Sequence, residues 1–388
     1  MIGLSNEQLQ IQALARDFAE GEIRPHTARW DQARALEPEV FGKLAEIGFL
    51  GMLVPESHGG LGFDVPTYLL ALEELAWGDA AVALSVAIHC GPVTDTILHH
   101  GSEAQKDRWL PRMASGEVLG AFALSEPEAG SDAGALGTQA EPRANGWTLR
   151  GVKRWVTNGA RAGVALVFAH TPAGISAFLV EPGAPGYRVL GAERTLGLRA
   201  SETVTVELDG VEVPEDALVG QDGQGMRYAL QALDLGRAGI SAQAVGIARA
   251  AMEHAVAYAL ERHQFGKALA DFGATQAKLA EMYRLIAAAR ALAHHAGQAL
   301  QASKTGGHPR TGPDGVTARA AAAKLTASEA ATWVADEAVQ IFGGYGYMRD
   351  YPVEKLLRDA KGTEIYEGTN EIMRHVIARE VLRAARER

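Results

Sequence analysis

The stretch ALSEPEAGSDA, residues 123–133, lies where the chain changes from helical to strand-like sequence, and it decides how the remainder is divided. After it come segments that are short and apolar, or that alternate apolar with polar residues, as β-strands do. These segments are VALVFA at 164–169, ISAFLV at 175–180 and TVTVEL at 203–208. Residues 117–224 are therefore predicted to form a small antiparallel β domain.

A tight turn is expected inside this β domain. The pair Asp209-Gly210 separates the alternating run 203–208 from the short run 211–213. Both residue types tolerate the positive φ angles of a type I′ turn, so the pair predicts a β-hairpin.

The sequence on either side of the β domain carries helical signals. Ser5 with Gln8, and Ser102 with Gln105, form the capping-box pattern that satisfies free N–H groups at the start of a helix. Beyond Met226 the chain is rich in Ala, Leu, Glu and Arg, which are good helix formers. Residues 1–116 are predicted to be an all-α domain and residues 225–388 a helical bundle, so the fold class is α+β and mostly α.

Composition restricts the partners and the chemistry. The 388 residues carry 37 Lys and Arg against 47 Asp and Glu, and the net charge of −10 gives no general attraction to nucleic acid or anionic lipid. Cys90 is the only cysteine, which excludes an internal disulfide and a thiolate metal cluster. No apolar run approaches 18 residues, and no targeting signal is visible. We therefore expect a protein of the bacterial cytoplasm with no nucleic-acid or membrane partner.

Residues 123–133 have the composition of a ligand-binding loop at the end of a strand. Gly130 would permit close approach of the backbone to a ligand, and Ser125, Ser131 and free N–H groups could donate hydrogen bonds to a polar ring or a pyrophosphate. The alternative interpretation is an ordinary turn.

A second candidate segment is KRWVTNG, residues 153–159. Trp155 and Thr157 are two residues apart, so in a strand they share one face, where a flat ring could lie against the indole and accept a hydrogen bond from the hydroxyl. The alternative is that Trp155 anchors the core.

A third candidate is the pair Glu367-Gly368, in a stretch flanked by helix breakers. Such a glutamate is usually solvated. If the neighbouring Ile365 and Tyr366 remove it from water, its pKa rises and it becomes suited to general-base catalysis.

Taken together, these segments resemble the acyl-CoA dehydrogenase family, over essentially the whole chain. Residues 123–135 fit one family signature and residues 340–359 fit the other, and RHQFG at 262–266 also matches. The resemblance implies an N-terminal helical domain, a central β domain and a C-terminal four-helix bundle. It also implies a homotetramer arranged as a dimer of dimers.

The resemblance implies FAD-dependent dehydrogenation of a saturated acyl-CoA to the trans-2-enoyl-CoA. Glu367 matches the base that removes the α-proton while hydride passes from Cβ to flavin N5, and electrons then pass to an electron-transfer flavoprotein. The residues that match FAD contacts of the family are Phe122, Leu124, Ser125, Gly130, Ser131, Trp155, Val156, Thr157, Arg262, Gln340, Gly343, Gly344, Thr369, Asn370 and Glu371. Among them, Arg262 and the residues within 340–344 match positions that contact the FAD of a neighbouring subunit. Those matching substrate contacts are Ser131, Asp234, Leu235, Gly236, Arg237, Tyr366 and Gly368.

Two positions refine this assignment. Isovaleryl-type members carry the base at the position of Gly236, and a glycine cannot serve as one, so Glu367 is the only base the pattern offers, as in the short-chain, medium-chain and 2-methyl-branched groups. The run LGRAGI at 235–240 looks most like the short-chain and short-branched-chain types. Where relatives often have a glutamine at the adenine end of FAD, this chain has Gly273, and Gln276 is the candidate replacement.

Two alternatives and the substrate remain open at this stage. An O2-using oxidase or flavin monooxygenase would share the architecture. A non-catalytic, DNA-associated scaffold is the other alternative, and the arginines between Arg374 and Arg388 would suit it, but Glu380 and Glu387 interrupt them. The sequence does not define the acyl-chain length or the pathway.

Overall fold

The computed structural model describes residues 3–304 and 306–386. Its first third is helical, and the capping boxes predicted at Ser5 and Ser102 are both formed. The main helices are α1 (Asn6–Phe18), α2 (Thr27–Ala33), α3 (Pro38–Glu46), α4 (Val65–Gly78), α5 (Ala80–Ile88), α6 (Thr94–His100) and α7 (Glu103–Ala114).

Helices α5 and α6 join into one helical stretch, Ala80–His100, whose composition corrects an expectation from the sequence. With 21 residues it is long and apolar enough to cross a membrane, although no apolar run of that length was expected. Other parts of the protein bury 89% of its most apolar window, as they would bury a core helix of a globular protein. Cys90, within this stretch, is fully buried, and burial raises the pKa of its thiol to about 12.

A mixed sheet of eight strands follows. Its strands are β1 (Gly120–Ala123), β2 (Gln139–Arg143), β3 (Gly146–Thr157), β4 (Val164–Thr171), β5 (Gly174–Val180), β6 (Tyr187–Ala192), β7 (Thr203–Val213) and β8 (Leu218–Val219). The order is β6-β7-β3-β2-β4-β5-β8, and β1 pairs with β4. The prediction of an antiparallel domain needs one correction, since β1 and β2 both pair with β4 in parallel.

The prediction of a β-hairpin at Asp209-Gly210 is wrong. Strand β7 runs unbroken through this pair and lies against β3, where Asp209 is opposite Arg150 and Val211 is opposite Leu149. Gly210 is therefore the extra residue of a β-bulge, with φ of 72°. A positive φ fits a bulge as well as a turn, and only the partner strand distinguishes the two.

The remaining chain forms long helices, as predicted. They are α8 (Gly225–Glu261), α9 (Gly273–Lys304), α10 (Val316–Phe342), α11 (Val353–Thr363) and α12 (Asn370–Arg386), with a short ribbon of β9 (His263–Gln264) and β10 (Lys267–Ala268) before α9. Helix α10 contacts α8, α9, α11 and α12, and α8 also contacts α4. N-terminal and C-terminal helices share one apolar core, and most of the strand core forms a second cluster. The mostly α fold class is confirmed.

Candidate active site

Glu367 lies in the α11–α12 loop, residues 364–369, and has an unusual backbone. Its φ is 57°, in the left-handed region that non-glycine residues rarely adopt, and Gly368 follows with φ of 97°. A left-handed L-residue costs on the order of 1–2 kcal/mol and persists where surrounding structure imposes it. Here Arg237 Nε donates to the carbonyl of Glu367 at 3.4 Å, and Lys324 Nζ donates to the carbonyl of Gly368 at 2.7 Å.

The carboxylate of Glu367 is held away from water. The residue as a whole keeps some exposure, but Oε2 is buried and has no hydrogen-bond partner among the described residues. Burial raises the pKa of Glu367 to about 7, against the opposing charges of Arg237 and Lys324. A carboxyl group that titrates near neutral pH is suited to accept and release protons under physiological conditions.

Gly236 on helix α8 makes room for this carboxylate. A Cβ atom on Gly236 would lie 2.6 Å from Oε2 of Glu367 and 2.7 Å from its Cδ and Oε1. Any larger residue at 236 would have to displace the glutamate side chain. Helix α8 thus presents no side chain at the point where the carboxylate of Glu367 packs against it.

Neighbouring polar groups connect the α11–α12 loop to the helices beneath it. The Tyr366 hydroxyl donates to Oε1 of Gln243 at 2.8 Å, and Nε2 of Gln243 donates to the Ala80 carbonyl at 2.6 Å. Neither Gln243 nor Lys324 was predicted from the sequence. Their signal was a long polar side chain within an alanine-rich helix, and Gln243 follows Gly236 by seven residues, so the two share one face of α8.

The predicted substrate residues on α8, Asp234, Leu235, Gly236 and Arg237, are buried from solvent. Asp234 is 3% exposed, and its Oδ1 accepts a hydrogen bond from Arg237 at 3.1 Å. Its Oδ2 accepts hydrogen bonds from Arg310 at 3.0 Å and Thr317 at 2.9 Å. Asp234 therefore supports two arginines, and Leu235 is buried in the core. Contact of either with the CoA moiety stays a prediction.

The loop after β1, which carries Ser125, Gly130 and Ser131, is fixed at both ends by a buried ion pair. Lys153, which is fully buried, donates to Oε1 of Glu126 at 2.6 Å and to the Leu124 carbonyl at 3.1 Å. The same carboxylate accepts the N–H groups of residues 137 and 138 at 2.5 and 3.0 Å. Gly130 and Ser131 are exposed between these anchors. This ion pair was not predicted from the sequence.

Trp155 is not a core anchor. It occupies a bulge in β3 with φ of 58°, and 53% of it is exposed. The bulge interrupts the simple alternation that was expected to place Trp155 and Thr157 on one face. A Cβ atom on Gly130 would lie 4.0 Å from the Trp155 ring. The exposed indole beside a glycine-containing loop fits a flat cofactor ring. Val156 is buried, while Thr157 and Phe122 are half-buried.

A separate cleft of about 500 Å³ includes Arg262, Gly343 and Gly344 in its lining, and Glu367 is not part of it. Gln340 is exposed on the last turn of α10. Gln276 donates to the Ala270 carbonyl at 3.0 Å, so its amide nitrogen already has a protein partner.

The start of α12 carries the three remaining predicted flavin contacts. Thr369 Oγ1 accepts a hydrogen bond from the N–H of Ile372 at 3.3 Å, Asn370 is buried, and Glu371 is exposed. The structure thus forms three groups from the predicted residues: the surroundings of Glu367, the Trp155 surface with its loop, and the Arg262 cleft.

Comparison with known families shows which class of protein this is. Residues 5–117 match the family model "Acyl-CoA dehydrogenase, N-terminal domain", residues 121–211 match the middle domain, and residues 223–382 match the C-terminal domain. The chain belongs to the acyl-CoA dehydrogenase family. It is an enzyme of this family, with FAD as its cofactor.

Individual relatives align over almost the entire chain. An acyl-CoA dehydrogenase of Bacillus subtilis is 44% identical over 98% of this chain and 99% of its own length. The structure of butyryl-CoA dehydrogenase from Megasphaera elsdenii is 39% identical, with full coverage of both chains and a TM-score of 0.93. A chain in the structure of the electron transferring flavoprotein of Acidaminococcus fermentans is 40% identical over 98% of both chains, also with a TM-score of 0.93.

Proposed function

We propose that this protein dehydrogenates a saturated short-chain acyl-CoA to the trans-2-enoyl-CoA, with Glu367 as the base that removes the α-proton. The observation that carries the proposal is the buried carboxylate of Glu367, whose Oε2 is unpartnered among the described residues and whose pKa is raised to about 7. FAD, when bound, supplies the acceptor for the hydride that leaves Cβ.

The chain's own residues prepare Glu367 for proton abstraction. The α-hydrogen of a thioester is a very weak acid, so the base must be free of competing hydrogen bonds and fixed close to the carbon. Arg237 and Lys324 hold the two carbonyls of the Glu367-Gly368 pair, and Gly236 leaves space beside the carboxylate. Proton transfer from the α-carbon to Glu367 then neutralises the carboxylate, which is the form that burial favours.

The thioester oxygen gains negative charge as the proton leaves and needs a hydrogen-bond donor. The backbone N–H of Glu367 makes no hydrogen bond within residues 3–304 and 306–386, so it can donate to that oxygen. One residue would thus supply both the base and an oxyanion donor. Its left-handed backbone sets the relation between the two groups.

The short-chain substrate and the electron acceptor are proposed from similarity. Butyryl-CoA dehydrogenase and a chain from the electron transferring flavoprotein structure are both about 40% identical to this protein over nearly full length. We infer a short acyl chain and an electron-transfer flavoprotein as the acceptor. We infer a homotetramer from the family resemblance, which assigns Arg262, Gly343 and Gly344, three residues of the Arg262 cleft, to the FAD of a neighbouring subunit.

The test is anaerobic mixing of the purified yellow protein with butyryl-, octanoyl-, isobutyryl- and 2-methylbutyryl-CoA, following loss of flavin absorbance. Fastest bleaching by butyryl-CoA is expected. Bleaching by none of the four would contradict the dehydrogenase proposal, and rapid reoxidation in air would favour an oxidase instead.

Glu367→Gln isolates the base. The variant should keep FAD and substrate binding but lose at least about three orders of magnitude in rate, because general-base catalysis is removed. The matched control is Glu364→Gln in the same loop, whose carboxylate pairs with Lys361 at 2.6 Å. Near-normal turnover by Glu367→Gln would show that another group is the base.

A further inference from the structure

Helix α10 buries a lysine against the α11–α12 loop. Lys324 is 0% exposed, in a helix whose buried face is otherwise largely alanine. Burying an ammonium group is unfavourable unless charge and hydrogen-bond partners compensate. The identity of those partners therefore indicates why the lysine is there.

Two other lysines, the buried Lys153 and the half-buried Lys355, show the ordinary arrangement. Lys153 lies 2.6 Å from the carboxylate of Glu126, and Lys355 lies within 3.0 Å of the carboxylates of Asp79 and Asp359. Each charge is neutralised by direct contact, as expected for a structural ion pair.

Lys324 differs from both. Its Nζ donates to the Gly368 carbonyl at 2.7 Å and to Oδ1 of Asn370 at 2.9 Å, and no carboxylate lies within 4.0 Å among the described residues. The carboxylate that interacts with it most strongly is Glu367. The ammonium thus binds the backbone next to the candidate base, without direct contact with the Glu367 carboxylate.

We propose that Lys324 is a positioning residue for Glu367: it fixes the Gly368 carbonyl, so that Glu367 keeps its left-handed backbone, and its positive charge favours the ionised carboxylate that accepts the α-proton. This inference rests on the proposed function.

The charges around Glu367 determine how its titration responds. Arg237 on α8 and Lys324 on α10 both favour the ionised form, and burial opposes them. Burial also lowers the pKa of Lys324 to about 7, so its positive charge acts on Glu367 mainly below that pH, on the acidic limb of a pH profile. Tyr68 on α4 is buried and Tyr366 in the loop is half-buried, and burial of each hydroxyl raises its pKa, so both stay neutral. The carboxylates of Glu364 and Glu371 interact with Lys324 more weakly than Glu367 does. Loss of the Lys324 charge leaves Arg237 as the main cation and raises the pKa of Glu367.

The experiment compares Lys324→Met with Ser328→Ala. Methionine removes the charge and the N–H donors at similar length. Ser328 donates the other hydrogen bond to Oδ1 of Asn370, at 3.0 Å, so alanine there disturbs the same network but keeps the charge. The first measurement is kcat/KM for butyryl-CoA between pH 5.5 and 9, on holoenzyme with its FAD content checked.

A second readout isolates proton abstraction from oxidation. Acetyl-CoA has α-hydrogens but no β-carbon, so it cannot be dehydrogenated, and exchange of its α-hydrogens with deuterium from D2O, followed by mass spectrometry, reports the base alone. The acidic limb of both profiles should move up by about one pH unit in Lys324→Met, with about tenfold lower values at pH 6. Ser328→Ala should keep the wild-type midpoint.

The outcomes separate this inference from the proposed function. A wild-type midpoint in Lys324→Met overturns the role of Lys324, even if Glu367→Gln is inactive as expected. Full activity of Glu367→Gln overturns the proposed base itself. If Lys324→Met does not fold, Lys324→Gln keeps an N–H donor without the charge and is expected to show the same shift. Failure of both to fold would mark Lys324 as a structural residue and overturn the proposal.

Discussion

Replacing Gly236 with alanine should inactivate the enzyme without unfolding it. The added Cβ would lie 2.6 Å from Oε2 of Glu367, whereas nonbonded heavy atoms prefer separations of about 3.5 Å. The carboxylate must therefore move by nearly 1 Å. Gly236 lies inside α8 and has no positive φ, so alanine fits the backbone there.

The two consequences have opposite signs. A displacement of about 1 Å at a reacting group can cost on the order of 100-fold in rate, so kcat/KM should fall about 100-fold. Alanine is favoured over glycine by up to about 1 kcal/mol in a helix interior, so the free energy of unfolding should stay level or rise slightly. A general destabilisation would lower both quantities together.

The assay is kcat/KM for the best acyl-CoA substrate, with urea unfolding of the same holoenzyme preparation. Gly42→Ala is the matched control, because Gly42 is inside α3 and its Cβ position has nothing within 4 Å. Gly42→Ala should keep full activity. Wild-type kcat/KM in Gly236→Ala would show that the carboxylate does not need its present position.

Three further changes test other parts of the structure. Because burial raises the pKa of Glu367 from 4.5 to about 7, the folded protein keeps a proton that the unfolded chain releases, and stability falls as pH rises through that window. At pH 8, the free energy of unfolding of Glu367→Gln should therefore exceed that of wild type by roughly 3 kcal/mol, whereas at pH 4 the two proteins should be equally stable. Equal stability at pH 8 would contradict a buried charge at this position. Lys153→Met leaves the Glu126 carboxylate buried without its cation, although residues 137 and 138 still donate hydrogen bonds to it, and should cost about 3 kcal/mol in urea unfolding. A loss below about 1 kcal/mol would be inconsistent with that ion pair. Trp155→Ala should weaken FAD binding at least about tenfold in equilibrium ultrafiltration with little change in apoprotein stability, since the indole is 53% exposed; unchanged affinity would remove Trp155 from the cofactor site.

Local sequence signals predicted the helices well. The capping boxes at Ser5 and Ser102 depend on residues three apart, so they can be identified without knowing the tertiary fold. Gly210 shows where such signals end, because the positive φ it provides is used in a bulge against β3, a partner that lies some 60 positions away in sequence.

The candidate site could not be fully predicted from the sequence, because it too depends on contacts between residues that are distant along the chain. The exposure of Trp155 depends on a bulge between two strands, and the role of Lys324 depends on which loop covers its face of α10. Glu367 was identified through family resemblance, whereas its raised pKa follows from burial in the folded protein, which outweighs the opposing charges of α8 and α10. The family resemblance predicted the candidate base but not the groups that hold it.

The left-handed backbone at Trp155 and Glu367 has a consequence for engineering this enzyme. Glycine adopts that conformation at lower cost than any residue with a Cβ, so replacing either side chain with glycine relaxes local strain. A laboratory evolution campaign that ranked clones by heat tolerance alone would tend to enrich such glycine variants. The selected proteins would be thermostable but would lack the indole of Trp155 or the carboxylate of Glu367. Every round of selection should therefore also require catalytic turnover.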